Sequence, residues 1–339
     1  MWSEYLIFLL KTVTIVVALA LLIGLLAGMA RRQSDEEKGK IRVENVSKKL
    51  EKLKQRLSEA LVTDKKALKN MRKAEKKAQK AAAKNSEDPA KPKAWVLDFK
   101  GDMQASQVHA LAESVSAVLH MATPQDTVVL RLESPGGVVH GYGLAASQLA
   151  RLKAKQLSLV IAVDKVAASG GYMMAALADR IVAAPFAVVG SIGVVAQLPN
   201  LHRFLKRNDI DIELHTAGEF KRTLTVLGEN TEAGREKFKQ DLENIHRLFK
   251  DHVVKARPAL DINAVSTGEF WFGTDALARG LVDELATSDD LLQGFHETHQ
   301  VYRVSFETPQ PLAKKLSAAA MLFVDQLYGK LAGRSMPFQ

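Results

Sequence analysis

Apolar and polar positions alternate in two regular ways along the C-terminal two thirds of the chain. Four short runs rich in aliphatic and β-branched residues predict strands: 94–99, 127–132, 157–163 and 180–184. Apolar residues recur three and four positions apart over 108–119 and 138–153, which predicts helices. Strands that alternate with helices of about a dozen residues predict an α/β fold with a mainly parallel, helix-covered sheet. Sites in such a sheet lie where strands end and helices begin.

The N-terminal segment has a different pattern, because residues 5–30 are nearly all apolar and Lys11 is the only charge among them. The uninterrupted part, 12–30, is close to the ~20 residues that cross a bilayer. This run predicts an uncleaved membrane anchor over residues 1–32, with a cleaved signal peptide as the alternative. The arginines that follow favour a cytoplasmic position for the rest of the chain, and a periplasmic position stays open.

A lysine-rich segment follows the anchor. Apolar residues step by three and four positions from Val43 through Val46, Leu50, Leu53 and Leu57, and the register continues weakly after residue 64. This heptad-like seam predicts a helical, coiled-coil-like stalk over 33–84 that self-associates or lies on anionic lipid. The alternative is a solvated spacer without a partner. Two prolines and a polar composition predict a linker over 85–93, before a folded domain over 94–300.

Composition narrows the possible chemistry. The chain has 339 residues and no cysteine, which excludes disulfides, thiolate metal sites and cysteine nucleophiles. The formal net charge is +9, and most of the excess lies between Arg31 and Lys93. We interpret this basic segment as part of the stalk, so no nucleic-acid partner is expected. No nucleotide-binding loop or metal-binding motif is visible, and we predict no cofactor and no metal.

The strand over 157–163 leads into a turn that contains Ser169, Gly170 and Gly171, and then into an apolar helix-like run. Such a turn exposes the serine beside the unpaired first amides of the helix, as acyl transfer requires. The alternative is an ordinary turn with a helix N-cap. Gly136 and Gly137 follow the strand over 127–132 in the same way. An amide near Gly136 or Gly137 and the amide of Gly170 would form an oxyanion hole.

A serine nucleophile needs a base. The histidines nearest in sequence stand in no pattern typical of a serine triad: His140, His202 and His215. The other candidate is a lysine that burial keeps neutral, because desolvation disfavours the ammonium. Lys165 precedes Ser169 by four residues, and Lys221 begins a new segment after a turn-like stretch. Spacing alone does not choose between the two lysines.

Four motifs together resemble a known family. They are ESPGG at 133–137, ASGGY at 168–172, GSIGVV at 190–195 and AGEFK at 217–221. This set is similar to the signal peptide peptidase A (protease IV) family of membrane serine peptidases, and most similar to its SohB-type inner-membrane members. The resemblance covers residues 95–285 and includes GTDALARGLVDEL at 273–285.

The resemblance implies a fold and a set of site residues. The implied fold is the ββα superhelix shared with caseinolytic protease and crotonase. Ser169 would be the nucleophile, Lys221 the general base, and Gly136 and Gly170 the oxyanion amides; Lys165 would be structural. In the family, the serine and the lysine can come from neighbouring subunits of a homo-oligomer. Arg222 follows the base in place of the family's usual small or aromatic residue, which leaves substrate preference open.

The expected function is that of a membrane-anchored serine endopeptidase of the bacterial inner membrane. The implied partners are unfolded or membrane-derived peptides, leftover signal peptides among them, together with membrane lipid and further copies of the chain. Two alternatives stay open: an oligomeric scaffold with a vestigial dyad, and a crotonase-like enzyme that acts on acyl-thioesters. Residues 301–339 are predicted to form an amphipathic C-terminal helix and tail, which would pack on the domain, on a neighbouring subunit or on the membrane.

Overall fold

The structure, a computed structural model, describes residues 8–16, 39–84 and 91–307. The chain divides into two compact units: residues 43–305, and a smaller unit made of the segments 1–42 and 306–339. In the described part of the smaller unit, residues 8–16 are helical and Arg42 forms an ion pair with Glu307 at 3.0 Å. No helix in the described ranges is long and apolar enough to cross a membrane. Most of the predicted anchor, part of the predicted linker and residues 308–339 lie outside these ranges.

Strands and helices alternate through the described residues from 40 to 307. The strands are β1 (Lys40–Asn45), β2 (Lys93–Lys100), β3 (Thr127–Glu133), β4 (Ser158–Val163), β5 (Val166–Ala168), β6 (Arg180–Ala183), β7 (Val188–Gly190), β8 (Phe270–Phe272), β9 (Glu284–Leu285) and β10 (Gln300–Glu307). The helices are α1 (Val46–Leu61), α2 (Lys65–Lys84), α3 (Val108–Met121), α4 (Val139–Ala154), α5 (Gly170–Ala175), α6 (His202–Arg207), α7 (Glu232–Ala256), α8 (Ile262–Val265), α9 (Gly273–Ala278) and α10 (Ser288–Thr298).

The main sheet has seven strands in the order β1-β10-β2-β3-β4-β6-β9. Every pair from β10 to β9 is parallel, so the predicted α/β architecture with a mainly parallel sheet is confirmed. A second sheet of three short strands, in the order β5-β7-β8, was not predicted. In it β5 pairs parallel to β7, and β7 pairs antiparallel to β8.

Both faces of the main sheet are covered, which explains why its strands are apolar at successive positions. Leu97 and Leu130 belong to the core on one face, together with residues of α3 and α4. Their neighbours Val96 and Val129 belong to the core on the other face, together with residues of α10. Alternate side chains of a strand point to opposite faces, so one continuous apolar run supplies both cores.

The lysine-rich segment differs from the predicted continuous stalk. Its first described residues form β1, and the rest forms two helices, α1 and α2, separated by Val62, Thr63 and Asp64. The Asp64 carboxylate accepts hydrogen bonds from the backbone N–H groups of Lys66 (3.0 Å) and Ala67 (3.2 Å). An N-cap of this kind starts a new helix, and the β-branched residues before it favour an extended backbone.

Candidate active site

Ser169 lies between β5 and α5 in a conformation that is uncommon for residues other than glycine. Its φ is 52°, a backbone strain of about 1 to 3 kcal/mol that the surrounding structure must offset. Two bonds hold it there, since its N–H donates to Gly190 O (2.8 Å) and its C=O accepts from Met173 N (3.0 Å). The Ser169 hydroxyl makes no hydrogen bond with any described residue. The side chain is half-buried and therefore accessible to a substrate.

The ESPGG turn is joined by its backbone to the strand that precedes Ser169. The Ser134 N–H donates to Val166 O at 2.8 Å, and Ser134 O accepts from the Ala168 N–H at 3.0 Å. Ser134 is fully buried. These two bonds fix the glycines after Ser134 relative to the strand that carries the nucleophile.

Gly136 is the residue that meets the nucleophile. Its φ is +90°, and a Cβ atom added to it would lie 2.7 Å from Ser169 Cβ and 2.8 Å from Gly170 N. A real Cβ does not approach so closely, so the backbone at this position needs glycine. The structure thus brings together three of the four predicted site residues: Gly136, Ser169 and Gly170.

The backbone amides of the two glycine turns differ in whether they already have a hydrogen-bond partner. The Gly136 N–H donates to Ser134 Oγ (3.1 Å). By contrast, the N–H groups of Gly137 and Gly170 make no hydrogen bond with any residue in the described ranges. Gly170 is the first residue of α5, where amides have no partner within the helix. In the Gly136–Gly137 turn, the N–H group that is free to donate a hydrogen bond is therefore that of Gly137, whereas Gly136 was the predicted donor.

A buried hydrogen-bond chain supports the glycine turn. The Tyr142 hydroxyl donates to Asp102 O (2.9 Å) and lies 2.5 Å from Ser134 Oγ. Ser134 Oγ thus donates to Tyr142 and accepts from the Gly136 N–H. Burial raises the pKa of the Tyr142 hydroxyl more than the hydrogen bond to Ser134 lowers it. Tyr142 Cγ would be 2.4 Å from a Cβ added at Gly170, so one tyrosine touches both glycine turns.

Helix α5 is also held by two contacts with later parts of the chain. The buried Tyr172 hydroxyl donates to Leu281 O (2.9 Å). His252 Nε2, on α7, lies 2.9 Å from Met173 O. These contacts join the helix that follows the nucleophile to two distant parts of the chain. Sequence reasoning missed both of them, and it also missed Ser134 and Tyr142 as supports of the site.

The predicted base does not reach the nucleophile within one chain. Lys221 is exposed, and no hydrogen bond or ion pair between described residues joins it to Ser169. Its backbone N–H donates to Gly218 O at 3.2 Å. Lys165 is exposed and pairs with Glu133 at 3.2 Å, a surface ion pair. None of the three histidines bonds to Ser169 in the described chain, and His215 pairs with Glu213 at 3.2 Å.

Lys221 belongs to a segment that exposes many apolar side chains. Residues 191–231 contain little regular structure apart from α6 and expose many large apolar side chains. Their exposed members are Val195, Leu198, Leu201, Phe204, Ile210, Ile212, Leu214, Phe220 and Leu227. Val195 is 91% exposed and Phe204 is 63% exposed. Monomeric soluble proteins rarely expose apolar surface on this scale, and such surfaces are typical of protein interfaces.

The described residues contain no group of three or more histidine, aspartate or glutamate side chains that could hold a metal ion.

Comparison with known proteins identifies the family. Residues 1–149 match the N-terminal part of peptidase family S49, and residues 151–302 match peptidase family S49 itself. A probable protease SohB of Haemophilus influenzae is 50% identical over 328 residues, which covers 94% of this chain and 92% of the relative. The chain belongs to peptidase family S49. Like the SohB-type members that it matches, it is a serine-type peptidase.

A second curated relative agrees with this S49 assignment. A probable protease SohB of Buchnera aphidicola subsp. Acyrthosiphon pisum is 54% identical over 229 residues, which covers 68% of each chain. A solved membrane-bound stomatin-specific protease in complex with a substrate peptide aligns over 68% of this chain and 98% of its own, at 13% identity and a TM-score of 0.41. The family assignment favours the peptidase over the two alternatives, the scaffold and the acyl-thioester enzyme.

Proposed function

We propose that this S49 peptidase is an endopeptidase with Ser169 as its nucleophile and Lys221 as its general base. The oxyanion would be held by the Gly170 amide and by an amide of the Gly136–Gly137 turn. One observation carries the proposal: the Gly136 turn lies so close to Ser169 and Gly170 that no Cβ fits between them. Two independent backbone turns thus meet at one accessible serine hydroxyl.

The reaction follows from this arrangement. The neutral amine of Lys221 accepts the Ser169 hydroxyl proton while Oγ attacks the substrate carbonyl carbon. The carbonyl oxygen becomes an oxyanion beside the two amides, and each such donor lowers the barrier by roughly 3 to 4 kcal/mol. The lysine ammonium then protonates the departing amine as the peptide bond breaks. Water, deprotonated by the same lysine, attacks the acyl-enzyme and releases Ser169.

We propose that Lys221 reaches Ser169 of a neighbouring subunit in a homo-oligomer. In the single chain Lys221 is exposed, belongs to a segment with many exposed apolar side chains, and has no bond to Ser169. Docking of residues 191–231 on a second copy would cover this apolar surface. It would also remove Lys221 from water, and desolvation favours the neutral amine that a general base needs. One contact would therefore assemble the site and activate the base.

The proposal extends to the fold family of the catalytic domain, the location of the chain in the cell and its substrates. The parallel sheet, with a short second sheet beside Ser169, supports the ββα superhelix of caseinolytic protease and crotonase. The apolar run over residues 5–30 supports a single-pass anchor in a bacterial inner membrane, with the catalytic domain on the cytoplasmic side by charge. Such a location supports unfolded or membrane-derived peptides, residual signal peptides among them, as substrates.

Mixing two inactive variants tests the dyad and its placement together. Ser169→Ala and Lys221→Ala are each expected to lose casein cleavage in detergent while eluting like the wild-type chain. If the dyad forms between subunits, an oligomer reassembled from both variants contains some intact pairs of Ser169 and Lys221. The mixture should therefore regain a fraction of the wild-type rate. Met121→Ala, which changes an exposed residue at the end of α3, serves as the control variant.

Three outcomes separate the parts of the proposal. Recovery in the mixture supports a dyad shared between subunits. If both variants are inactive and the mixture stays inactive after reassembly, Lys221 acts within its own chain. If purified Ser169→Ala, or purified Lys221→Ala, cleaves casein at the wild-type rate, the dyad itself is refuted.

A further inference from the structure

Helix α1 turns a row of leucines to solvent. Leu53, Leu57 and Leu61 are 64%, 64% and 76% exposed. They recur every four residues and therefore lie along one face of the helix, which Leu50 extends. The face is apolar and remains uncovered by any part of the chain that the structure describes.

Other residues of α1 contact the rest of the described chain. Ser47 is buried, and its Oγ accepts a hydrogen bond from the Val301 N–H of β10 at 3.0 Å. Near the end of α1, Glu59 forms an ion pair with Arg72 of α2 at 3.0 Å. Neither contact covers Leu53, Leu57 or Leu61, which all stay exposed.

Basic side chains border the leucine face. Arg56 lies three residues after Leu53, and Lys54 lies three residues before Leu57, so both are neighbours of the leucines on the helix surface. Neither of these two residues, nor Lys52, forms an ion pair with a described residue. An apolar stripe bordered by free basic side chains is typical of helices that lie in a membrane interface.

Charge decides between the two occupants that an apolar face could have, a second copy or a lipid surface. The sequence from α1 to α2, residues 46–84, has 14 lysine and arginine residues and 4 aspartate and glutamate residues. A second copy would bring two strongly basic surfaces together, which repel each other. A membrane that contains anionic lipid has the complementary charge, and basic residues near it contribute favourably to binding.

We propose that the leucine face of α1 lies on an anionic membrane surface, with the leucines among the acyl chains and the basic residues at the headgroups. This inference rests on the proposed anchor only for proximity, because the predicted membrane segment ends at residue 32 and α1 begins at Val46. The anchor would hold the chain at the membrane, and α1 would fix how the catalytic unit is seated there.

Site-specific fluorescence on the full chain tests this seating. The chain has no cysteine, so Leu57→Cys gives a single labelling site for the polarity-sensitive dye NBD. Glu51→Cys, exposed and away from the leucine face, is the matched control. Both labelled proteins are reconstituted into vesicles of phosphatidylcholine with phosphatidylglycerol, and into vesicles of phosphatidylcholine alone. Doxyl-labelled lipids then report contact between the dye and the acyl chains, and flotation reports whether the chain is bound at all.

The expected result is a blue-shifted NBD emission at position 57, quenched by doxyl lipid in the anionic vesicles, with no such effect at position 51. Replacement of Lys52, Lys54 and Arg56 by glutamine, or neutral vesicles, should abolish most of the quenching. A blue shift without doxyl quenching would mean that protein covers the face, and would overturn the inference in favour of a second copy. An unshifted emission on chains that float would overturn it while leaving the anchor intact. Chains that do not float would refute both.

Discussion

Two backbone positions at the site have positive φ angles, which residues other than glycine rarely adopt. Gly136 has a φ of +90°, and Ser169 has a φ of 52°. Glycine adopts such angles without steric cost, whereas serine must be held in place by its neighbours. The surrounding structure therefore holds the proposed nucleophile in a strained conformation that sets the direction of its side chain. The absence of a side chain at Gly136 leaves space for the substrate carbonyl.

Gly136→Ala should separate catalysis from folding at this position. The new Cβ would meet Ser169 Cβ at 2.7 Å and Gly170 N at 2.8 Å, so the two turns must move apart. Loss of the oxyanion geometry should lower kcat about 100-fold or more. The matched control is Gly143→Ala on α4, where a Cβ meets nothing within 4 Å. The control should keep full activity and gain about 0.5 to 1 kcal/mol of stability. Wild-type kcat in Gly136→Ala would contradict the proposed site.

Tyr142→Phe removes one hydroxyl from the chain of hydrogen bonds beneath the glycine turn. Ser134 Oγ would lose its acceptor, and the turn that it holds would shift. We expect kcat to fall about 10-fold to 100-fold with KM nearly unchanged, because misplacement affects the transition state more than substrate binding. Tyr302→Phe, on β10 with its ring 5.7 Å from that of Trp95, is the matched control.

Ser134→Ala removes the next hydroxyl group in the same series of hydrogen bonds. A double variant that carries both Tyr142→Phe and Ser134→Ala should therefore lose no more activity than the less active of the two single variants, since both residues act through one network. Additive losses, or a rise in KM alone, would show that Ser134 and Tyr142 do not position the glycine turn as a unit.

Individual residues of the site could be predicted from the sequence only where they belong to a short motif. Ser169, Gly136 and Gly170 belong to short motifs, and the structure brings them together. Tyr142 gave no signal, because its contact with Gly170 exists only once α4 and α5 have packed. Nor does the sequence indicate that the Gly136 amide is occupied by Ser134 Oγ while the Gly137 amide is free.

At the scale of elements, a single carboxylate joins the start of β2 to the loop before β3. Asp126 is 2% exposed. It accepts hydrogen bonds from Lys93 N (2.7 Å), Thr123 N (3.0 Å) and Trp95 Nε1 (3.2 Å). Burial alone would raise the pKa of Asp126, but the N–H donors outweigh burial and lower it. The charged form is thus the one that the fold stabilises.

The stabilisation by Asp126 should depend on pH with a definite sign. A carboxylate whose pKa is lowered by folding contributes fully above its unfolded value of about 3.9, and this contribution is lost as the pH falls through the lower folded value. Asp126→Asn should therefore unfold more easily than wild type at neutral pH, by about 1 to 3 kcal/mol. The difference should shrink below about pH 4. Denaturation in detergent, followed by circular dichroism, measures it; an equal difference at both pH values would contradict the assignment.

The long elements were predictable, as was the four-residue strand β6, but the shortest strands were not. The strands β2, β3 and β4 and the helices α3 and α4 have enough residues for a periodic pattern, and the structure confirms them. The strands β5, β7 and β8 have three residues each, too few for a pattern to emerge. The break between α1 and α2 depends on the Asp64 cap, whose effect competes with a continuing heptad register.

At the scale of the whole molecule, the exposed apolar surface over residues 191–231 is the feature that one chain leaves unexplained. A homo-oligomer would cover this surface and bring Lys221 to a second copy. The sequence analysis did not predict this surface, because a contact with a partner leaves no periodic pattern in the chain. Substitution on that surface therefore tests the assembly.

Phe204→Glu should disrupt the proposed assembly and the activity together. Phe204 is 63% exposed on α6, and a charge placed there would be desolvated on docking. Loss of a central apolar anchor typically costs about 2 kcal/mol or more in binding, roughly 30-fold in affinity. Met121→Glu, at a methionine that is 64% exposed at the end of α3, is the matched control. Light scattering after size exclusion measures the mass, and casein cleavage is followed on the same fractions. A monomeric variant with full activity would refute the shared site.

The exposed position of Lys221 implies a way in which such a peptidase would stay inactive before assembly. Under the proposed dyad, a newly made chain already has its nucleophile and oxyanion turns in place but lacks a base. Catalysis would then begin when copies meet, so activity would rise steeply with the concentration of chains. Latency would need no propeptide and no inhibitor, and dilution alone would restore it.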